Sequence, residues 1–205
     1  MVLKGIPAAP GIAIGKARIR LSETSVSRGV RAASPAAELA RFEVAVERAR
    51  GELIEIVDRV ASKAGEKEAD IFRSQLLMLD DPLLAGAIKA AILEDACSAE
   101  DAVNRVARDL AERFRALDNQ RFQELAVDVG DVGQRLARNL SGAREHWPVG
   151  AGILFASGIT PSEVSLLDPA EVAGIVTEQG GATGHAAILA RALNIAAVMG
   201  LKDVL

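Results

Sequence analysis

The sequence predicts an α/β fold into which an all-α helical bundle is inserted. Short strand and helix patterns alternate after about residue 148, an extended segment opens the chain, and a long helical stretch separates the two. The opening segment has no evident core of its own, so we expect it to pair with the C-terminal strands. The predicted α/β domain comprises residues 1–21 and 144–205, and a polar linker at 22–33 leads into a predicted insert at 34–143.

Helix signals define the insert. Ser34 precedes Pro35, which places a hydroxyl N-cap before a proline at the first helical position. Apolar residues then recur at steps of three and four as far as Val60, which is typical of a long bundle helix. Gly130 and Gly133 in the last helix indicate close packing or a bend. The further helices are predicted at about residues 66–79, 82–92, 98–117 and 120–140.

Strand signals flank the insert. Apolar and polar residues alternate with period two over parts of residues 3–21, including Ile12 and Ile14, which predicts extended structure. A short helix is predicted to open at Thr160, and another follows the turn at Gly180 and ends near residue 193. The C-terminal strands are predicted at residues 152–156, 172–177 and 196–199.

Composition narrows the classes of function. The chain has 205 residues, 50% of them hydrophobic, and a formal net charge of −4. Mild acidity without a basic run argues against nucleic acid as a partner. No apolar run approaches the roughly 20 residues that span a bilayer, and the N-terminus lacks the apolar core of a signal peptide. The single cysteine, Cys97, excludes an internal disulfide, so we expect a cytoplasmic protein without a membrane partner.

The segment most informative about chemistry is 180–191 (GGATGHAAILAR). It predicts that His185 lies just inside a helix N-terminus, where unpaired N–H groups and partial positive charge favour an anion. The small neighbours leave the ring accessible, and Ile188 and Leu189 lie on its helix face and can pack against it. With a pKa near its usual value of about 6.5, the imidazole is mostly neutral in the cytosol and can accept a phosphoryl group.

Phosphoryl transfer depends mainly on positioning and electrostatics, so this arrangement does not require a metal in this chain. A core or capping histidine is the structural alternative for His185. The other histidine, His146, is interpreted as a surface residue. Two histidines this far apart do not support a zinc hydrolase. The glycine-rich segment also lacks the Gly-Lys-Ser/Thr ending of a nucleotide-binding P-loop.

Three further side chains have both structural and functional interpretations. Thr160 begins a capping-box pattern at 160–163 (TPSE), so its hydroxyl satisfies backbone donors or hydrogen-bonds the His185 ring or a phosphoryl oxygen. Thr183 either stabilises the turn or contacts phosphate. Arg191 lies six residues after His185 on a different helix face, so we expect a structural ion pair there.

Together these segments resemble Enzyme I of the bacterial phosphoenolpyruvate-dependent phosphotransferase system. The resemblance covers nearly the whole chain. The glycine–histidine segment alone is shared with pyruvate phosphate dikinase and phosphoenolpyruvate synthase, whereas the N-terminal motif and the helical insert point to Enzyme I. The segments that carry the resemblance are 5–15 (GIPAAPGIAIG), 69–82 (ADIFRSQLLMLDDP), 126–135 (AVDVGDVGQR), 160–163 and 180–191.

The resemblance implies a swivelling phosphohistidine α/β domain whose helical insert docks the small phosphocarrier protein HPr. It implies that His185 is the phosphorylated residue, as tele-phosphohistidine, and that Thr160 hydrogen-bonds its ring. HPr-type carriers present basic residues around an apolar patch. The expected docking surface is therefore the acidic and apolar face of the second helix, with Glu66, Glu68, Asp70, Gln75 and Met78.

Two features depart from the family pattern. Members usually carry serine directly before the histidine, where this chain has Gly184, so we expect weaker orientation of the ring with transfer retained. The sequence given ends at Leu205, whereas Enzyme I continues into more of the α/β domain and a barrel domain that binds phosphoenolpyruvate and Mg²⁺ and mediates dimerisation. We therefore expect no cofactor in this chain, and no use of phosphoenolpyruvate by this chain alone.

Three alternatives stay open from the sequence. The chain fits a nitrogen-branch paralogue of Enzyme I or an Enzyme I-like module of a multi-domain phosphotransfer protein, the swivelling domain of a pyruvate dikinase-type enzyme, or an interaction module with a structural histidine. The inserted bundle argues against the dikinase type, because that class transfers phosphate within its own chain and needs no carrier dock.

Overall fold

The computed structural model describes residues 2–20, 34–142, 151–202 and 204–205. The chain divides into two compact units. One comprises Met1–Thr24, Ile56–Ile71 and Glu145–Leu205, and the other comprises Ser25–Glu55 and Phe72–Arg144. The predicted linker and His146 lie outside the described residues.

The first unit contains a five-stranded sheet. Its strands are β1 (Ile6–Ala9), β2 (Ala17–Arg20), β3 (Gly152–Ala156), β4 (Val172–Thr177) and β5 (Ala196–Met199). The order is β1-β5-β4-β3-β2, with β1 antiparallel to β5 and the other neighbours parallel. The opening segment therefore pairs with the C-terminal strands, and the predicted α/β fold class is confirmed.

The chain between β1 and β2 departs from the prediction. Residues 10–16 form no strand, and Ile12 and Ile14 expose 92% and 89% of their surface. Gly11 has φ +141°, a backbone conformation that side chains other than glycine rarely adopt. Two alternating residues are too short a pattern to separate a strand from an irregular loop, which explains the error.

Helices make up most of the insert. Their starts follow the predicted signals: Ser34 Oγ accepts from Ala37 N at 3.3 Å, and Ser98 Oγ accepts from Asp101 N at 3.2 Å. The turn Pro82–Gly86 is π-helical and leads directly into the third helix. The α-helices of the described chain are α1 (Pro35–Lys63), α2 (Glu66–Met78), α3 (Ala87–Glu94), α4 (Ala99–Arg115), α5 (Gln120–Ser141), α6 (Pro161–Leu166) and α7 (His185–Ala192). None of the described helices combines the length and apolarity required to cross a bilayer.

An ionic contact joins α1 to the start of α4. Glu38 Oε2 accepts the Ala99 N–H at 2.8 Å, and Arg41 pairs with both Glu38 and Glu100. Burial acts to raise the pKa of Glu38, but the hydrogen bond from Ala99 and the charge of Arg41 outweigh it and lower that pKa below its usual 4.5. The pKa of Arg41 is raised by its hydrogen bonds to Glu100 and Glu38. Glu38 and Arg41 therefore stay charged at neutral pH, and their contacts stabilise this helix pair.

Gly133 allows α4 and α5 to approach closely. A Cβ at Gly133 would lie 2.6 Å from the Cβ of Ala107, a residue of α4 that is itself buried. Gly130, one turn earlier in α5, has nothing within 4 Å of the equivalent point. The prediction of close packing therefore holds for Gly133 and not for Gly130.

These two glycines provide a matched test of packing in the bundle. Gly130→Ala gains helix propensity without a clash and is expected to stabilise the protein by about 0.5–1 kcal/mol. Gly133→Ala gains the same propensity, but overpacking costs about 1–3 kcal/mol, so a net loss is expected. Urea denaturation of both variants measures the difference. Equal stabilisation by both substitutions would contradict the close approach at Ala107.

Candidate functional site

The carboxyl ends of β3 and β4 define the candidate site. The loop at 157–160 leads from β3 to α6, and the loop at 178–184 leads from β4 to α7. Because β3 and β4 are parallel neighbours, both helices begin at the same edge of the sheet. The two helices also pack against each other. Thr160 and His185, each at the start of one of these helices, are therefore brought to one edge.

His185 is the first residue of α7, as predicted. Its side chain is partly exposed, whereas Ala186, Ala187 and Leu189 behind it are buried. The buried residues hold the helix against the unit, and His185 is partly exposed at the helix N-terminus. This placement does not fit a histidine sealed inside the core, whereas a structural role at the start of α7 stays an alternative.

A glycine-rich turn sets the start of α7. The Gly184 N–H donates to the Gly181 carbonyl at 3.3 Å, which closes the turn directly before the histidine. Gly180 has φ +103°, and a Cβ there would lie 3.2 Å from Met199 Sδ on β5. The need for glycine at residue 180 is therefore both conformational and steric.

Arg191 fixes this turn from the other end of α7. Its Nη1 donates to the Ala182 carbonyl at 2.9 Å and to the Ala8 carbonyl of β1 at 2.7 Å. The predicted ion pair is wrong, because Arg191 has no carboxylate partner in the described part of the chain. Its role is nevertheless structural, as expected, since it ties the turn before His185 to the edge strand.

Thr160 is the N-cap of α6 and forms a complete capping box. Its Oγ1 accepts the Glu163 N–H at 3.2 Å, and Glu163 Oε2 accepts the Thr160 N–H at 2.7 Å. The capping interpretation is thus confirmed. A hydroxyl that accepts one hydrogen bond keeps a second lone pair as well as its own hydrogen, so the cap leaves Thr160 able to bond an imidazole nitrogen of either protonation state.

An ion pair that the sequence analysis missed lies beside this cap. Arg20, the last residue of β2, pairs with Glu163 and donates to the Gly158 carbonyl at 2.6 Å. The Glu163 side chain is only 6% exposed and that of Arg20 is 19% exposed. No local signal marks this pair, because its members are 143 residues apart.

Thr183 lies exposed in the turn that precedes His185. It is close to His185 in the chain and open to solvent, so a contact with phosphate stays a prediction for this residue.

The proposed docking residues of α2 do not share one face. Glu66 and Asp70 are exposed and lie about 40° apart around the helix, at about 100° per residue. Gln75 follows Glu66 by nine residues, which places it on the opposite side, and it is fully buried. The prediction of Gln75 as a surface residue is wrong. Glu68 and Met78 are partly exposed and lie away from the Glu66 direction.

Gln75 instead forms part of the bundle interior. Its Nε2 donates to Asp131 Oδ2 at 3.1 Å and to Asp128 Oδ1 at 3.4 Å, and both carboxylates are buried in α5. The residue that the prediction overlooked is Leu77, which exposes 76% of its surface and lies within about 20° of Glu66 around α2. Glu66, Asp70 and Leu77 therefore lie on one side of α2, which we call the α2 face, and the partly exposed Arg73 lies on the same side, within about 20° of Glu66.

Comparison with known proteins agrees with this architecture. The family model described as "PEP-utilising enzyme, N-terminal" matches residues 4–124, and the model described as "PEP-utilising enzyme, mobile domain" matches residues 150–205. The phosphoenolpyruvate-protein phosphotransferase of Bacillus sp. (strain S) is 39% identical over 98% of this chain and 36% of its own length. This chain thus spans little more than a third of the curated relatives it matches.

Two solved structures are similar over nearly the whole chain. The solution structure titled Enzyme I (nEIt) has a TM-score of 0.73 and 33% identity, with 99% of this chain and 84% of that chain covered. The structure titled N-terminal domain of Enzyme 1 – Nitrogen has a TM-score of 0.71 and 31% identity, with 98% and 84% covered. The chain belongs to the family of PEP-utilising enzymes and, within it, to Enzyme I.

The N-cap of α7 offers a direct test of the local geometry. Gly184 has φ −66° and ψ 153°, which serine adopts freely, and a Cβ there would lie 3.6 Å from the Gly181 carbonyl oxygen, an ordinary contact. Gly184→Ser is therefore expected to add a capping hydrogen bond worth a few tenths of a kcal/mol, which slows amide exchange at Ala187 by up to about twofold.

Gly181→Ser is the control, because its Cβ meets nothing within 4 Å and its hydroxyl lies outside the cap position. Amide exchange measured by NMR should slow in α7 only for the variant at residue 184. Faster exchange in that variant would show that a side chain does not fit at this N-cap.

Proposed function

We propose that this chain carries a phosphoryl group on His185 between phosphoenolpyruvate and a small phosphocarrier protein of the HPr type. The observation that carries the proposal is the placement of a partly exposed histidine at the N-terminus of α7, at the sheet edge where Thr160 also caps the start of α6. The name of the relatives, phosphoenolpyruvate-protein phosphotransferase, supports phosphoenolpyruvate as the phosphoryl donor. The family and the single cysteine support a cytoplasmic reaction.

The reaction has two balanced steps. Nε2 of neutral His185 attacks the phosphorus of phosphoenolpyruvate, the bond from phosphorus to the enol oxygen breaks, and the departing enolate takes up a proton to become pyruvate. A nucleophile of the carrier then attacks the phosphorus, the P–N bond breaks, and its electron pair returns to the imidazole. The partial positive charge at the N-terminus of α7 stabilises the phosphoryl oxygens in both steps.

Thr160 has the role of orienting the ring. With Nε2 as the nucleophile, the neutral ring carries its hydrogen on Nδ1, and we propose that this N–H donates to Thr160 Oγ1, which fixes the tautomer and the direction of attack. Thr183, exposed in the preceding turn, is the candidate to contact a phosphoryl oxygen. Gly184 supplies no hydroxyl, so the ring depends more heavily on Thr160 than it would with serine before it.

Phosphoenolpyruvate and Mg²⁺ are proposed to bind outside these 205 residues. Among the described residues, no group of three or more His, Cys, Asp or Glu side chains is placed to hold a metal ion. Phosphate exchange with a carrier is the activity expected of this chain alone, because the proposed donor site belongs to a further domain.

Replacement of the proposed nucleophile tests the relay. Incubation with a phosphorylated HPr-type carrier should give one acid-labile phosphate per chain, mapped to His185. His185→Ala should abolish the labelling and keep carrier binding, since the α2 face is untouched. His146→Ala is the matched histidine control and should label normally. Labelling that survives His185→Ala would refute the assignment.

The α2 face is the proposed carrier dock. Its two carboxylates and the exposed Leu77 offer charge and apolar surface that complement a basic, partly apolar carrier. Carriers of the sugar and nitrogen branches are both to be tested, since one similar solved structure is titled Enzyme I and the other Enzyme 1 – Nitrogen. The dikinase alternative is not favoured, because the reported relatives carry the Enzyme I activity in their name.

Charge reversal tests the dock. Asp70→Lys is expected to weaken carrier binding about tenfold, which corresponds to about 1.4 kcal/mol at an interface position. Glu55→Lys, an exposed acid of α1, is the control and should bind normally. Isothermal titration at low and physiological salt measures both variants. Equal weakening by both would point to general charge attraction instead of a dock on α2.

A further inference from the structure

The contacts of Arg20 reach the N-terminus of α6 from β2. Nη2 donates to the Gly158 carbonyl at 2.6 Å and to Glu163 Oε2 at 3.3 Å, while Nη1 pairs with Glu163 Oε1. One guanidinium therefore holds both the loop that leads into α6 and the carboxylate in the first turn of that helix. Lysine, with a single nitrogen, cannot make these contacts together in the same geometry. We call this set of contacts the Arg20 clamp.

The same carboxylate also caps Thr160. Glu163 Oε2 accepts the Thr160 N–H at 2.7 Å, and the Glu163 N–H donates to Thr160 Oγ1 at 3.2 Å. The position of the threonine hydroxyl is thereby linked to Arg20 through one side chain that is 6% exposed. A carboxylate this buried is costly without a cation beside it, so loss of Arg20 favours its movement toward water and away from the cap.

We propose that Arg20 is a positioning residue for phosphoryl transfer at His185, which acts through Glu163 and the 157–160 loop to hold the Thr160 hydroxyl toward the ring. The inference rests on the proposed function, in which Thr160 hydrogen-bonds His185. Arg20 itself touches neither the ring nor the phosphoryl group in this scheme. Small displacements of a positioning group cost up to about a hundredfold in rate, so the clamp is expected to be visible in kinetics.

The test compares Arg20→Met, Arg20→Lys, Thr160→Val and the Arg20→Met/Thr160→Val double variant in the same chain. Single-turnover transfer from a phosphorylated HPr-type carrier is expected to slow about tenfold in Arg20→Met and at least as much in Thr160→Val. The transfer rate of the double variant should equal that of Thr160→Val, because both changes act on the same hydrogen bond, the one between Thr160 and His185. Arg20→Lys keeps the charge, and its rate should lie between the wild type and Arg20→Met.

A second readout separates positioning from stability. ¹⁵N NMR of the His185 imidazole should give the same change of tautomer balance in Arg20→Met as in Thr160→Val. Arg18→Met is the control from β2, since Arg18 forms no hydrogen bond to α6 in the described part of the chain, and it should leave both readouts unchanged.

The inference is overturned if Arg20→Met slows phosphoryl transfer as much in the Thr160→Val variant as in the wild type. It is overturned as well if Arg20→Met lowers the melting temperature and leaves the ring signals unchanged. It is also overturned if Thr160→Val transfers normally while His185→Ala is inactive, an outcome that removes the role of Thr160 but leaves the phosphoryl relay on His185 intact. Loss of the proposed function itself appears separately, as labelling that survives His185→Ala.

Discussion

The parallel pairing of β3 with β4 is the constraint on which the candidate site depends. Ala156 at the end of β3 is opposite Thr177 at the end of β4, so both loops leave the sheet at the same level. The pairing continues past the strands, because Glu178 N donates to the Ala156 carbonyl and Gln179 N to the Ser157 carbonyl, at 3.2 and 2.8 Å. Loops joined in this way cannot shift independently, which fixes the spacing of the two helix starts.

The opening segment supplies two strands to this unit and also two groups that anchor the candidate site. Its strands provide the Ala8 carbonyl that anchors Arg191 and the Arg20 side chain that holds Glu163. One anchor secures the turn before His185, and the other secures the cap before α6. Both contacts join residues more than a hundred positions apart in the chain. The helical insert therefore interrupts a site whose supports come from both sides of it.

The helical bundle contains a different kind of constraint. Gln75 bonds two buried aspartates, and Arg135, 2% exposed, pairs with Glu52 at 2.5 Å. Buried polar groups are costly unless they are paired, so these contacts favour one register of α2 and α1 against α5 over alternatives with similar apolar packing. The close approach at Gly133 adds a steric requirement to the same helix. Apolar periodicity alone carries neither constraint.

The sequence by itself determined the features that depend on near neighbours in the chain. Hydroxyl caps at Ser34, Ser98 and Thr160 and the histidine at the start of α7 follow from hydrogen bonds and backbone preferences within one helical turn. The α/β class followed from the alternation of short elements, and the family resemblance agreed with it.

Only the tertiary structure decided which side of α2 is buried, that Arg191 binds carbonyls, and that Arg20 reaches Glu163. The prediction for α2 was wrong at Gln75 because an amide is assigned to the surface unless its buried partners are known. Those partners, Asp128 and Asp131, lie more than fifty residues away in the chain. Contacts of this kind depend on which distant elements pack together, and the sequence of one helix does not identify the residues against which it packs.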